Sequence, residues 1–202
     1  MVVQKEFVER AHRIVWCTVA TVGPDHRPRT RILHPLWEAT DEAGSPAVEP
    51  AGGLVGWIVT RVTPVKVRHL AYSPYLSCSY WEPGHEVAVA DCRAEWVSDT
   101  ATRQRVWELY RDAPAPLGYD FWSVFPDGPA PGRGASRPGL RSAGSEATGA
   151  TREGRESQPR DRRAGGAAFN RESPSLLRLT PYRLRLTDVE TLSGRKEPLA
   201  WP

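Results

Sequence analysis

Residues 56–74 read GWIVTRVTPVKVRHLAYSP and contain the transition on which the rest of the chain is organised. The apolar run at residues 57–59 predicts a buried strand. Thr63 then offers a hydroxyl that can cap a helix, and Pro64 suits the first helical position, where a missing N–H costs nothing. Apolar residues at helical spacing continue until Pro74, so the stretch predicts a strand that leads directly into a short helix.

The start of this helix is a candidate site for a phosphate group. A helix N-terminus presents N–H donors and the positive end of the helix dipole, both of which favour an anion. Thr60 and Arg61 precede the helix, and Lys66 lies in its first turn. With the hydroxyl of Thr63, these side chains predict a phosphate pocket. The alternative is an ordinary strand-to-helix junction with a solvated lysine.

The length and composition of the chain narrow its class. The 202 residues suffice for one domain with a full core. No run of about 18 apolar residues is present, and residues 1–16 mix acids with bases, so we expect neither a membrane span nor a signal peptide. Cys17, Cys78 and Cys92 are scattered without a CxxC pair. They predict small buried hydrophobes in a cytoplasmic protein, and no metal site.

A long segment, residues 127–168, is dominated by Gly, Ala, Arg, Ser and Pro, with Leu140 as its only large apolar residue. Such a composition cannot bury enough surface to offset the entropy of ordering, so we predict a disordered insertion. Residues 126–168 hold eight arginines and five acids, and thus carry the net charge of +3. The remainder is near neutral, which disfavours a nucleic-acid partner. Nucleic-acid binding through the insertion is kept as a remote alternative.

The remaining pattern predicts a mainly β chain with two or three helices at its periphery. The predicted strands are residues 14–22, 29–37, 54–59, 75–81, 85–97 and one or two within 175–192, and the further helices are residues 3–13 and 100–112. Short turns such as GPDHRP, residues 23–28, join neighbouring strands, which favours an antiparallel barrel. No GxGxxG or GxxxxGK[ST] motif is present.

The order of these pieces resembles the pyridoxamine 5′-phosphate oxidase-like family. A first helix is followed by GPDHRPRTRIL at residues 23–33, by residues 56–81 and by the strand VADCRAEWV at residues 89–97. The resemblance spans about residues 3–125 and resumes near residue 175. It implies a six-stranded Greek-key split β-barrel, usually homodimeric, with flavin mononucleotide (FMN) held between two subunits. The barrel core would be residues 1–126, and residues 169–202 would supply its closing strands.

The resemblance also implies positions for the cofactor. Arg31, Ile32 and Leu33 match the family strand that lies along the flavin, and the arginine there contacts the cofactor. Val59 and Thr60 match a strand end near the ribityl and phosphate groups, and Lys66 matches a phosphate-binding lysine. The predicted cofactor-binding set is therefore Arg31, Ile32, Leu33, Val59, Thr60, Thr63 and Lys66. No catalytic residue is assigned.

The chain departs from the family pattern at several positions. Pro64 and Val65 stand where the family often has serine or arginine before the lysine, and Leu36 stands where it has a second lysine. The tryptophan and arginine with which true pyridoxamine 5′-phosphate oxidases hold their substrate are not recognisable in residues 192–202. The chain is therefore not expected to oxidise pyridoxamine phosphate.

The resemblance implies an FMN-dependent oxidoreductase of a small molecule whose identity the sequence does not reveal. The flavin would supply the hydride chemistry, which agrees with the absence of recognisable acid–base motifs. Two alternatives remain on the same fold: a reductase that uses a deazaflavin coenzyme, and a flavin-binding protein without catalytic activity.

Individual side chains outside this set have two interpretations each. His34 could be a proton donor or an axial-type ligand, but a lone histidine beside Pro35 more often has a structural role. His69 is expected to face solvent or to cap its helix. Trp57, Trp81 and Trp96 are expected to fill the barrel or a dimer interface.

Overall fold

The computed structural model describes residues 2–40, 53–120 and 174–201. Four helices occur in these ranges: α1 (Val2–Ile14), α2 (Pro64–Tyr72), α3 (Thr100–Asp112) and α4 (Val189–Leu192). The eight strands are β1 (Cys17–Val22), β2 (Pro28–Leu33), β3 (Leu36–Thr40), β4 (Gly53–Arg61), β5 (Tyr75–Trp81), β6 (Val87–Val97), β7 (Pro174–Thr187) and β8 (Leu199–Trp201).

The strands form one antiparallel sheet in the order β2-β1-β5-β6-β7-β4-β3, with β8 paired to β7. The predicted mainly β architecture with flanking helices is confirmed. The predicted strand number of six is wrong, and the sheet is not closed within the described residues.

Two local features explain the extra strands. Residues 29–37 were predicted as one strand, but the chain leaves β2 after Leu33 and enters β3 at Leu36. Pro35 has no N–H to donate to a sheet ladder, so the strand breaks there. The second feature is the pairing of residues 199–201 with the outer part of β7. The additional helix α4 is a single turn, and Asp188 caps it through the Thr191 N–H at 2.9 Å.

The strand β7 lies in the interior of the sheet. It pairs with β4 along one side, where Leu177 opposes Ile58, and with β6 along the other, where Leu179 opposes Ala94. The C-terminal segment therefore contributes a central strand. The insertion predicted at residues 127–168 lies outside the described residues.

The main core lies between α1 and one face of the sheet. Phe7 packs edge-on against Trp37 with ring centroids 5.0 Å apart, and the Trp37 indole N–H donates to the Tyr80 hydroxyl at 2.8 Å. The cysteines predicted to be small buried residues are free and buried, as expected: Cys17, Cys78 and Cys92. A hydrogen bond with Cys78, together with burial, raises the pKa of the Cys17 thiol far above its ordinary value, so this thiol stays protonated.

A second cluster ties α3 to the sheet. Asp99 caps α3 by accepting from the N–H of Thr102 at 2.7 Å. The fully buried hydroxyl of Tyr110 lies 2.8 Å from the carbonyl oxygen of His34 and 2.7 Å from that of Trp57. This contact fixes the bend between β2 and β3 against β4. Among the described helices, none is long and apolar enough to span a membrane.

Candidate functional site

The junction between β4 and α2 has the local structure that the sequence predicts. The strand ends at Arg61 and the helix begins at Pro64. Thr63 is the N-cap residue, with φ −118° and ψ 146°, and its hydroxyl oxygen accepts from the Lys66 N–H at 3.3 Å. The helix ends at Tyr72, two residues before the proline that was expected to stop it.

The backbone of this helix start offers fewer donors than the sequence suggests. Pro64 has no N–H, the N–H of Lys66 is used by the cap, and that of Val67 donates to the Thr63 carbonyl at 3.0 Å. In this first turn the remaining donor is the N–H of Val65. Recognition of an anion would therefore depend mainly on side chains.

Lys66 is buried at this junction. Its side chain is only 6% exposed, and its Nζ donates to the Oγ1 of Thr60 at 2.5 Å. Thr60 is itself 5% exposed. The alternative of a solvated lysine is therefore wrong.

Among the described residues, no acid compensates the charge of Lys66. Burial, together with the nearby charge of Arg31, lowers the pKa of Lys66 from 10.5 to about 8. Within residues 2–40, 53–120 and 174–201, no carboxylate forms an ion pair with either side chain. A buried cation without a counter-ion is costly, because water no longer solvates it. The arrangement is typical of a site that receives an anion.

Arg31 reaches the same region from the edge strand β2. Its guanidinium donates through Nη1 to the Oγ1 of Thr21 in β1 at 2.9 Å. The β1–β2 register places Thr21 opposite Arg29, which makes Thr21 and Arg31 diagonal neighbours on one face of the sheet. Burial and the charge of Arg29 lower the pKa of Arg31, which shows that several cations approach one another here.

We call the side chains of Lys66, Thr60, Arg31 and Thr21 the cationic cluster. His69 also belongs to this cluster, although it was expected to face solvent or to cap its helix. The ring is 1% exposed, and its Nδ1 lies 3.0 Å from the Oγ1 of Thr21. The sequence spacing could have predicted that His69 lies near Lys66, because the two residues are three positions apart and share one helix face. Gly23 permits this packing: a Cβ there would lie 2.7 Å from the His69 Nε2.

The structure thus brings together four of the seven predicted site residues: Arg31, Thr60, Thr63 and Lys66. The side chain of Ile32 is 62% exposed, because successive residues of a strand point to opposite faces of the sheet. Leu33 packs partly buried against the main core, and Val59 against the second cluster. These three could contribute backbone groups, but their side chains lie outside the cationic cluster.

His34 lies in a separate aromatic environment. Its ring is 7% exposed, stacks on Tyr119 with centroids 5.4 Å apart, and is flanked by Trp16 and Tyr110. Burial lowers the pKa of His34, and its Nε2 has no hydrogen-bond partner among the described residues. Within the same ranges, no group of three or more His, Cys, Asp or Glu side chains could hold a metal ion.

A groove of about 510 Å³ lies beside α3 and includes Trp37 and Leu109 in its wall. Unlike Lys66 at the junction, charged residues in the wall of this groove form ion pairs. Arg105 pairs with Glu38 at 2.6 Å, and Asp112 pairs with a neighbouring arginine. Because these charges are already paired, they do not favour the binding of an anion. The junction between β4 and α2 is therefore the stronger candidate site.

Comparison with known proteins places the fold. No protein-family model matches the chain, and no curated protein does. A solved structure from Clostridium acetobutylicum, described as related to a general stress protein and assigned to the pyridoxine phosphate oxidase family, matches with a TM-score of 0.52 and 10% identity, over 98% of this chain and 94% of that one.

Two further solved structures are similar. A NimC/NimA family protein from Clostridium acetobutylicum matches with a TM-score of 0.52 and 8% identity, over 99% of this chain and 92% of that one. A conserved hypothetical protein from Mycobacterium tuberculosis matches with a TM-score of 0.50 and 16% identity, over 94% and 87%. Sequence identities this low support a shared fold and nothing more. The fold of this chain is that of the pyridoxamine 5′-phosphate oxidase family, as the order of its sequence motifs predicts.

Proposed function

We propose that this chain binds a flavin cofactor that carries a phosphate, namely FMN, and acts as an FMN-dependent oxidoreductase on a small molecule. The observation that carries the proposal is the buried Lys66 with the partly exposed Arg31 nearby, since neither side chain has a carboxylate partner among the described residues. The pair lies at a strand-to-helix junction in a fold for which the sequence resemblance implies FMN.

The donor set fits the phosphate of FMN. A phosphate monoester carries close to two negative charges at neutral pH, and two cations match that charge. Lys66 supplies ammonium protons, Arg31 supplies a guanidinium fork, and the hydroxyls of Thr60 and Thr63 can donate. The N–H of Val65 adds a backbone donor from the helix start.

The edge strand β2 could bind the rest of the cofactor through its backbone. Among the described strands it pairs only with β1, so alternate backbone N–H and C=O groups of Arg31, Ile32 and Leu33 point away from the sheet. We assign the flavin ring and ribityl edge to this backbone. Val59 would approach the ribityl chain from the end of β4.

The catalytic contribution of the protein would then be mainly binding and orientation. When bound, the flavin supplies hydride transfer. Lys66 and Arg31 hold the phosphate end at a fixed position, and the buried Thr60 keeps the ammonium of Lys66 directed into the pocket. Catalytic residues and the substrate are not assigned. The absence of a recognisable substrate-binding tryptophan and arginine in residues 192–202 supports a substrate other than pyridoxamine phosphate. The departures at Leu36, Pro64 and Val65 keep a non-catalytic flavin-binding protein as an alternative.

The location and assembly of the protein follow as parts of the same proposal. The three free and buried cysteines support a cytoplasmic, reducing location. Exposed apolar side chains on one face of β2, β1 and β5 support a homodimer: Ile32 is 62% and Trp81 is 59% exposed. A dimer would place a second copy against the proposed flavin ring.

The deciding experiment is an absorbance spectrum of the freshly purified protein, followed by titration with FMN, riboflavin and a deazaflavin coenzyme. We expect a flavin spectrum and micromolar or tighter binding of FMN. Preferential binding of the deazaflavin would replace FMN by that coenzyme, and bound flavin without turnover of any reductant or oxidant would indicate a non-catalytic binder. Absence of binding to all three would overturn the proposal.

The remote alternative is nucleic-acid binding through the arginine-containing segment of residues 127–168. It predicts binding to single-stranded nucleic acid that weakens steeply with added salt and disappears when the segment is deleted. The paired and interleaved charges of the chain favour the flavin proposal.

A further inference from the structure

The cationic cluster contains a hydrogen-bonded chain that the flavin proposal does not use. Arg31 donates to the Oγ1 of Thr21 at 2.9 Å, and that oxygen lies 3.0 Å from the Nδ1 of His69. Thr21 is 3% exposed and His69 is 1% exposed. Two fully enclosed polar side chains therefore connect an edge-strand arginine to the same helix that carries Lys66.

We propose that Thr21 and His69 are positioning residues, which hold the guanidinium of Arg31 towards the anion that Lys66 binds. Neither residue would touch the anion itself. The identity of that anion as the phosphate of FMN rests on the proposed function, whereas the positioning role applies to any phosphate monoester.

The donors and acceptors of this chain assign its protons. Arg31 can only donate, so the Thr21 oxygen accepts from it. The hydroxyl proton of Thr21 is then free to be donated to the Nδ1 of His69.

The cluster needs such an anchor because its two cations repel each other. The charge of Arg31 contributes to the lowered pKa of Lys66, so the two groups are close enough to interact. An arginine on an edge strand has several rotamers that lead into solvent. The hydrogen bond that Arg31 donates to Thr21 holds the guanidinium against β1, and His69 fixes the direction of the threonine hydroxyl.

The purely structural alternative makes a different prediction. If Thr21 only satisfied a buried histidine, its loss would lower the stability of the protein and weaken all ligands alike. If it positions Arg31, its loss would weaken only ligands that carry a phosphate. FMN and riboflavin differ by the phosphate group, so the ratio of their dissociation constants isolates this effect.

The test compares Thr21→Val, which removes the hydroxyl at nearly constant shape, with the wild-type protein. We expect the preference for FMN over riboflavin to fall about tenfold, with the dissociation constant of riboflavin unchanged. Thr21→Ser should restore the preference. Thr40→Val is the matched control, because Thr40 is an equally buried strand threonine outside the cluster; it should leave the ratio unchanged.

Two variants of His69 provide the test if Thr21→Val does not fold. His69→Asn keeps an oxygen that can accept from Thr21, and His69→Leu does not. We expect His69→Leu to reduce the preference for FMN and His69→Asn to retain most of it. An unchanged preference in both Thr21→Val and His69→Leu would overturn the positioning role.

Inorganic phosphate separates this inference from the flavin proposal. If the wild-type protein does not prefer FMN but phosphate raises its melting temperature, loss of that increase in Thr21→Val supports the positioning role and retires the flavin proposal. If phosphate raises both melting temperatures equally, the positioning role is overturned. A wild-type protein that responds neither to FMN nor to phosphate overturns both.

Discussion

At the scale of single residues, the burial of Lys66 separates a binding lysine from a surface lysine. Its one hydrogen bond among the described residues goes to a neutral hydroxyl, and its charged neighbour is Arg31, another cation. Such a group lowers the stability of the unliganded fold, since burial removes hydration from its charge and no acid among the described residues pairs with it. Costs of this kind are typical of functional sites.

Replacing Lys66 by methionine should therefore change stability and affinity in opposite directions. We expect Lys66→Met to raise the free energy of unfolding of the cofactor-free protein by about 1–2 kcal/mol, because a buried charge is removed. The affinity for FMN should fall about tenfold to hundredfold through loss of a charged hydrogen bond to the phosphate. Denaturant unfolding and fluorescence titration measure the two effects.

The matched control is Lys5→Met in α1, since Lys5 is largely exposed and 3.8 Å from Glu9. This variant should alter neither quantity measurably. A Lys66→Met protein that is less stable than the wild type and retains its FMN affinity would show that Lys66 has only a structural role.

The lowered pKa of Lys66 also predicts a pH dependence. Its pKa lies at about 8 in the folded protein, against 10.5 for an ordinary lysine. Between these two values the unfolded chain binds more protons than the folded one, so the free energy of unfolding of the cofactor-free protein should rise with pH across that window. FMN binding needs the protonated lysine and should weaken above about pH 8.

Titration calorimetry of FMN binding at several pH values checks this expectation. Lys66→Arg keeps a permanent charge and should remove most of the pH dependence, although its different shape will reduce the affinity itself. An FMN affinity that stays constant from neutral pH to well above the pKa of Lys66 would contradict the assignment.

At the scale of secondary structure, Thr63 at the junction of β4 and α2 has two roles, one in stability and one in binding. Its oxygen accepts from the Lys66 N–H and thereby stabilises the start of α2. Its hydroxyl proton remains available to a ligand. The two roles can be separated, because aspartate is also a good N-cap residue but repels phosphate.

We expect Thr63→Asp to keep the free energy of unfolding within about 0.5 kcal/mol of the wild type and to weaken FMN binding about tenfold or more. Thr63→Ala should instead lower the free energy of unfolding by about 1 kcal/mol. The matched control is Asp99→Ala at the cap of α3, which should cost similar stability without changing FMN affinity. Equal FMN affinity of Thr63→Asp and wild type would contradict a phosphate at this position.

At the scale of the whole molecule, one face of the strands β2, β1 and β5 remains without a covering element among the described residues. The register across β2, β1 and β5 places Ile32, Thr18 and Ser79 on that face, and Trp81 follows two residues later. The opposite face packs against α1 in the main core. An exposed isoleucine and tryptophan beside small side chains favour contact with a second copy.

Sedimentation should therefore show a homodimer, and Ile32→Glu should shift it towards the monomer by placing a charge in the interface. The same variant should weaken FMN binding if the cofactor lies between two subunits. Val2→Glu is the control, because Val2 is 75% exposed on α1, across the sheet. A wild-type monomer that binds FMN with full affinity would contradict the proposed dimer.

Several parts of this architecture could be predicted from the chain alone. Caps and turns act locally, so Thr63 marks the start of α2 correctly and Pro74 marks its end. Apolar periodicity located most strands because a buried face imposes its pattern on consecutive residues. The break at Pro35 was not predicted, since the sequence does not show that β3 pairs with β4 instead of continuing β2.

The sequence by itself determined most of the elements, the mainly antiparallel sheet and the candidate lysine, because these depend on neighbouring residues. Only the tertiary structure decided that Lys66 is buried, that Arg31 approaches it, and that Thr21 and His69 connect them. These contacts join β1, β2 and α2 across 10 to 48 positions of the chain. Contacts between distant residues follow from how the elements pack, and local patterns of residues do not specify that packing.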